Sequence, residues 1–539
     1  MAIVKQHDKR SGITYAYEAI YHWDKEKQQS RCKRTLIGRV DDVTGEILPT
    51  DGRCRKDKPE KAISKSKGKR GIKPNTIYRH MYYGATYLLE KFADQLGLIK
   101  DLRVCFPDNY KELLSIAFYL ILADNNPLYR FEKWHLTHKH PYGEDITSPR
   151  SSKFFSSITD DQINKFFVLQ AKRRVEDEYW AYDSTSISSY SETLRQIQYG
   201  KNKDDDKLPQ LNLLLVFGEK SGLPFYYRKL AGNIPDVKTV KMLLEDLDIF
   251  GIGKAKFVMD RGFYSENNIN SLYREHVKFL VGVRLSLSFI RKNLDRIYDQ
   301  IRFFTNYDEA LNTYGYTLTT EWDYSQERPY KNDILKDKRR IYIHYYYNID
   351  KGADDEAAFD KKIARFYREL TEGKRIESHE KEYAKYFDVK KTPKRGTTVT
   401  YKEDVIKNAR KYFGFFALMT NEKLDAFTAL HLYRMKDVVE KAFGNLKERL
   451  NMRRMLVSSE RALDGKIFVE FVALILISHL DHKMREKELY KNYTLHQLLD
   501  KLDVIECFEA PGYELRIGEI LTAQSALYEA LEVPLLTSS

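Results

Sequence analysis

The chain has 539 residues, more than one ordinary domain holds, and 42 % of them are hydrophobic, enough for real cores. With 91 Lys and Arg against 78 Asp and Glu it carries a net charge of +13, which favours a polyanionic partner, nucleic acid before a membrane surface. Its four cysteines show no CxxC spacing and support neither a disulfide framework nor a zinc knuckle; the opening MAIVKQHDKRSG lacks the apolar stretch of a secretory signal, and the run Phe468 to Ile477, broken by Glu470, is too short for a bilayer.

Residues 12–50 read as short strands closed by the turn DDVTGE, giving a small β-module over 1–50. Between 51 and 75 stand ten Lys and Arg against three acids, with Gly, Pro and Ser among them. This is a basic linker, extended here to 82, that is either plainly solvated or tracks phosphates. Helical patterns fill 83–176. Ala85, Leu88, Leu89, Phe92 and Leu96 form one stripe, and YKELLSIAFYLILA (110–123) reads as a buried helix. Thr159 followed by Gln162 predicts a capping box for a helix over 160–175. The short SSIT turn between two helices allows a helix-turn-helix, as any small bundle would. The expectation is a helical N-terminal DNA-binding region. His135, His138 and His140 lie close together without a further ligand at zinc spacing.

From 177 the texture turns to strands. YWAYDSTSIS runs into Asp183, and LNLLLVFG (211–218) and LPFYYRKLAGN (223–233) follow. After a helix over 236–249, KAKFVMD ends on Asp260. Short links make the first three strands antiparallel, and the helical crossover makes the fourth parallel to a neighbour. A helix at 266–275 and a strand at 277–283 complete a first core part, 177–284. Residues 285–411 are charged, with β-like and Lys/Glu-rich helical pieces, and read as a domain inserted into one sheet. A second core part, 412–482, holds the strand GFFALMT, and 483–539 reads as a helical appendage. The fold class expected is α/β, a mixed-sheet core interrupted by a β-rich insertion, with the helical N-terminal region in front.

Within 433–450, YRMKDVVEKAFGNLKERL, Val439, Phe443, Leu446 and Leu450 make an apolar stripe at helical spacing. Beside it Tyr433, Lys436, Glu440 and Lys447 form a polar stripe, either a solvated face or a carboxylate flanked by phosphate-holding cations. Asp183 and Asp260 at strand ends are common turn residues when taken singly. Together with Glu440, on a helix packed against the same sheet, they make three clustered carboxylates. Such a cluster is stable only with cations, and two Mg²⁺ ions about 4 Å apart would activate water and steady a leaving oxygen.

These residues resemble a family. The acids and topology are similar to the RNase H-like core of DDE transposases. Tyr433, Lys436, Glu440 and Lys447 match in spacing the Tyr-Arg-Glu-Lys signature of the insertion-sequence-four group of bacterial transposases, with Lys436 in place of the family's Arg. Asp260-Arg261-Gly262-Phe263 resembles the stretch around that group's second aspartate, and Asp183-Ser184-Thr185 the first. The β-module with its TGEI turn resembles a long-form subgroup. The resemblance implies metal ligation by Asp183, Asp260 and Glu440 with two Mg²⁺ or Mn²⁺ ions. It implies phosphate contacts by Tyr433, Lys436 and Lys447, and backbone contacts by Arg261, Arg453 and Arg454 where these are not merely solvated. It also implies a flipped base stacked on Trp322, unless that ring is core. The partners implied are double-stranded DNA, as terminal inverted repeats and target, and a second copy in a homodimer, in a bacterial cytoplasm at the nucleoid, with no membrane. Cleavage would free a 3′-OH that in this group can form a hairpin before joining target DNA. Two rival readings stay open: a domesticated, non-catalytic DNA-binding protein, and an RNase H-fold nuclease without strand transfer.

Overall fold

The computed structural model describes residues 2–24, 27–49, 79–123, 126–173, 178–191, 193–203, 207–250, 255–392, 396–450, 454–455, 457, 459–510 and 513–537. The chain divides into two compact units, Met1–Thr76 and Ile77–Ser539.

In the first unit, β1 (Ala2–Asp8), β2 (Ile13–Asp24), β3 (Gln29–Val40) and β4 (Ile47–Pro49) form an antiparallel sheet in chain order. Asp8 accepts hydrogen bonds from the Arg10 backbone N–H and the Ser11 hydroxyl, closing the first turn. Asp41 accepts from the backbone N–H groups of Val43 and Thr44, each at 2.9 Å, in the last. The expected helical N-terminal region is therefore corrected: from Ala2 to Tyr82 the described residues build strands, and the first helix begins at Gly84. The physical reason is local. Tyr15, Tyr17, Tyr21 and Trp23 recur at period two between Asp-closed turns, a pattern that favours strands. The basic stretch 51–75 lies outside the described residues.

The second unit opens with β5 (Arg79–Tyr82) and the helices Gly84–Gln95, Leu98–Cys105, Tyr110–Leu122, Ser148–Ser157 and Asp160–Lys172. Several of these pack on the long helix Glu460–Glu486. Thr159 and Gln162 form the expected capping box, with the Thr159 N–H donating to Gln162 Oε1 at 3.0 Å. At Gly465 a Cβ would lie 2.0 Å from the Phe155 carbonyl oxygen, so only glycine permits that helix crossing. His135 Nδ1 and His140 Nε2 are hydrogen-bonded at 2.9 Å, and His138 meets Asp503.

The central sheet follows. β6 (Trp180–Ser189), β7 (Gln210–Gly218) and β8 (Pro224–Ala231) are antiparallel. After the helix Thr239–Ile249, β9 (Lys256–Met259) runs parallel to β6, and β10 (Lys278–Val283) runs parallel to β9. The chain continues through β11 (Tyr307–Asp308), β12 (Thr313–Arg328) and β13 (Asp333–Asn348), then a small hairpin of β14 (Phe387–Thr392) and β15 (Gly396–Tyr401). It returns as β16 (Phe415–Thr420), which pairs with both β10 and β13. The short β17 (Arg454–Met455) joins β6. Among the described residues this is one ten-stranded sheet, β11-β12-β13-β16-β10-β9-β6-β7-β8 with β17 beside β6. The mixed core is consistent with an RNase H-like fold. Between β13 and β16, Phe359, Phe366, Tyr383 and Ile406 belong to a separate apolar cluster. Near the C-terminus β18 (Glu506–Glu509) pairs with β5 and with β19 (Arg516–Ile517). Among the described residues no helix is long and apolar enough to cross a membrane.

Candidate functional site

The sheet register brings two acids together. Tyr182 on β6 is the partner of Met259 on β9. The residues that follow, Asp183 and Asp260, therefore emerge side by side on neighbouring parallel strands. The buried ring of Tyr182 packs 4.9 Å from that of Phe263, which holds the turn after Asp260 against the sheet.

A third element closes on them. The helix Ala426–Arg434 carries Tyr433 in its last turn, and a second helix, Asp437–Gly444, follows. The single helix expected over 433–450 is thus wound unevenly. The Lys436 N–H bonds to the Tyr433 carbonyl oxygen in a tightened turn, and Asn445–Arg449 forms a wider π turn. Val439, Phe443, Leu446 and Leu450 are all buried, so the apolar stripe docks as its spacing suggested. The Tyr433 hydroxyl donates to Asp260 Oδ1 at 2.7 Å. Lys436 Nζ lies 3.6 Å from the same oxygen and 3.0 Å from Glu440 Oε1. Gly282 on β10 makes room for this contact, because a Cβ there would stand 2.7 Å from the Tyr433 hydroxyl.

On the other flank Lys203, from the link between β6 and β7, places Nζ 3.6 Å from Asp183 Oδ1 and 3.4 Å from Asp236 Oδ2. It also donates to the Ser184 carbonyl oxygen at 2.7 Å. The Ser184 hydroxyl donates in turn to Asp236. Beside this cluster lies a cavity of about 710 Å³ whose lining includes Ser186, Lys203, Asp236, Gly262, Tyr264 and Arg284. Sequence reasoning missed Lys203 and Asp236. The signal was the length of the β6–β7 link, too long for a tight turn and rich in Lys and Asp.

Burial raises the Asp183 carboxyl above the usual carboxylate range, against the pull of Lys203, the Ser184 N–H and Lys436. Burial works in the same direction on Asp260. There the hydrogen bond from Tyr433 and the charges of Lys436 and Arg261 outweigh it, and the net shift is downward. Lys436 is held above its ordinary value because Asp260, Glu440 and Asp183 outweigh the opposing effect of its burial. Burial first, then Asp260, raises the Tyr433 hydroxyl.

The other expected residues are scattered. Arg261 is exposed and directly follows Asp260. Lys447 sits half-buried in the π turn. Trp322 is a core residue, 7 % exposed, with its indole N–H donated to Asn270 at 2.8 Å and its ring edge-on to Phe289. Arg454 lies on β17, and Arg453 is outside the described residues.

As hard oxygen donors, Asp183, Asp260 and Glu440 suit Mg²⁺ or Mn²⁺ in kind. Two ammonium groups already stand against them, so the pocket draws positive charge. Among the described residues no three acid, histidine or cysteine side chains converge on one metal-binding point, since Lys436 stands between Asp260 and Glu440.

A family described as "Transposase DDE domain" matches residues 177–476, more than half of the chain. No curated protein matches it. Among solved structures it is similar to a cryo-EM structure of the piggyBac transposase synaptic complex with hairpin DNA. The two share 9 % identity with a TM-score of 0.36, over 84 % of this chain and 80 % of that one.

Proposed function

The chain belongs to the transposase DDE domain family, and on that premise we propose that it cuts the DNA ends of its own insertion sequence and joins them to target DNA. The observation that carries the reading is the register that sets Asp183 beside Asp260, with Lys436 linking Asp260 to Glu440. In this reading the protein binds the terminal inverted repeats as a homodimer and belongs to the insertion-sequence-four group. The spacing of Tyr433, Lys436, Glu440 and Lys447 supports that placement.

Two Mg²⁺ or Mn²⁺ ions held by Asp183, Asp260 and Glu440 would supply Lewis-acid activation of water and of the leaving oxygen. The side chains do the rest. Tyr433 orients Asp260 through its hydroxyl and keeps that carboxyl ionised. Lys436 sits between Asp260 and Glu440 and, with Arg261 and Lys447, presents positive charge to the phosphates of the strand being cut. Water oxygen attacks phosphorus, the bond from phosphorus to the 3′ oxygen breaks, and a 3′-OH and a 5′-phosphate remain. The 3′-OH then attacks a target phosphodiester in the same manner. A full charge with a rigid fork is what an arginine would offer at Lys436; lysine keeps the charge without the bidentate grip.

The test is incubation of the protein with a labelled end fragment and Mg²⁺, followed by exchange for Mn²⁺. Wild type nicks the fragment at the element boundary. Asp260→Ala abolishes nicking while binding persists; undiminished nicking by that variant refutes the site.

A further inference from the structure

The first unit presents a face that the catalytic reading leaves unused. Directly paired residues on antiparallel strands share a face. The register therefore gathers Tyr15, Tyr17, Tyr21 and Trp23 of β2 on one side, with Arg39 of β3 opposite Tyr15 and Arg34 opposite Ala19. Tyr21 is 58 % exposed and Trp23 63 %. Among the described residues none of these four rings packs against another ring or beneath a cation. Burying two such rings would gain several kcal/mol, so leaving them in water is costly unless a partner covers them.

We infer that this face binds unpaired nucleic-acid bases, in the form of single-stranded DNA. Rings at alternate positions of a strand stand about 7 Å apart, and each offers a flat surface on which an unstacked base can lie. Arg34 and Arg39, on the same side, supply positive charge for the connecting phosphates. The stretch 51–75 follows directly in sequence with ten basic residues against three acidic ones. A duplex hides the flat faces of its bases, so it would leave the rings unused. A second copy laid face to face would set Arg34 and Arg39 against the same charges. The proposal is independent of the catalytic site, whose carboxylates lie in the other unit.

The full-length protein allows a direct test. Of its four tryptophans, Trp134, Trp180 and Trp322 are 7 %, 6 % and 7 % exposed, so Trp23 dominates any quenching by a bound base. A twenty-nucleotide dT oligonucleotide should quench the tryptophan emission of wild type and of Asp260→Ala, and not of Trp23→Leu. By anisotropy of the labelled oligonucleotide, Tyr21→Ala/Trp23→Ala should bind at least about tenfold more weakly, while Trp23→Phe, which keeps a ring, stays within about threefold. Arg34→Gln/Arg39→Gln should flatten the slope of log K against log salt by about 1.4. Three results overturn the inference: no quenching by the oligonucleotide, unchanged affinity in the double aromatic variant, or equal quenching by a duplex of the same length. A shift from dimer to monomer on sizing the aromatic variant, with DNA affinity intact, would instead identify a self-association face and overturn it as well.

Discussion

Asp183 stands on β6 and Asp260 directly follows β9, its parallel neighbour, yet their surroundings act on them in opposite directions. Burial dominates at Asp183, and a single ammonium from a loop, Lys203, divides itself between Asp183, Asp236 and the Ser184 carbonyl oxygen. Asp260 is served by Tyr433, at the end of one helix, and by Lys436, in the turn that leads into the next helix, which a buried apolar stripe seats. One carboxylate is short of positive charge and the other is well supplied. An added cation therefore gains most at Asp183, and the packed helix contributes a preset half of the site.

Neutral replacements expose the difference most strongly. Asp183→Asn and Asp260→Asn should each lower end-fragment cleavage by about 10³-fold, roughly 4 kcal/mol of barrier. Their stabilities should part company. Asp183 has a raised folded pKa, so the stability linked to its proton is complete below its unfolded value and is lost as pH rises through the folded one. At pH 7 the ionised form is a burden, and Asp183→Asn should stabilise the fold by about 1 kcal/mol. Asp260 has a lowered folded pKa. Its contribution is present above the unfolded value and is lost as pH falls through the folded one. Asp260→Asn should cost a few tenths of a kcal/mol, a modest figure because that side chain is 36 % exposed. Urea denaturation of both variants at pH 7 measures the gap, and equal shifts would erase the contrast.

An acid outside the site calibrates it. Glu470 is 0 % exposed in the helix Glu460–Glu486, both its carboxylate oxygens lack a hydrogen-bond partner among the described residues, and Lys466 Nζ stands 3.8 Å away. Burial lifts its carboxyl to about 7, against the pull of Lys466. The linked stability is complete below the ordinary value of 4.5 and disappears as pH rises through about 7. The urea midpoint should accordingly fall between pH 6 and pH 8 in the wild type and stay flat in Glu470→Gln, which should be more stable by about 1 kcal/mol at pH 8. Tyr433→Phe should have a small effect on both stability and cleavage. Removing one hydrogen bond to Asp260 should cost about 0.5 kcal/mol and move the acid limb of the cleavage profile to higher pH, with the alkaline limb unchanged.

The side-by-side aspartates were legible because each follows a run of buried residues on a strand, and because a helical crossover forces the second strand parallel to a neighbour. The capping box at Thr159 was legible because it is local. Lys203 and Asp236 were not, since their meeting depends on where a long link folds back, which no periodicity records. Nor was the tightened turn at Lys436. Residues 433–437 hold neither Pro nor Gly to announce it. Trp322 shows the limit of residue type as a signal: its position on β12 directs the ring into the core, whatever an exposed tryptophan could have stacked. The helical N-terminal region failed as a description because strands occupy the described residues from Ala2 to Tyr82; the aromatics and Asp-closed turns of 12–50 point only to a small β-module ahead of it.

β16 has a consequence for what can change in this molecule. It is laced to β13 on one edge and to β10 on the other. The chain between β13 and β16 therefore leaves and rejoins the sheet at adjacent strands, and it carries its own apolar cluster. Chain added or removed there lengthens a hairpin without shifting the ladder that sets Asp183 beside Asp260. Relatives of this protein are free to differ most in length at that point, and a reporter or affinity domain grafted there would ride on the molecule while leaving its chemistry in register.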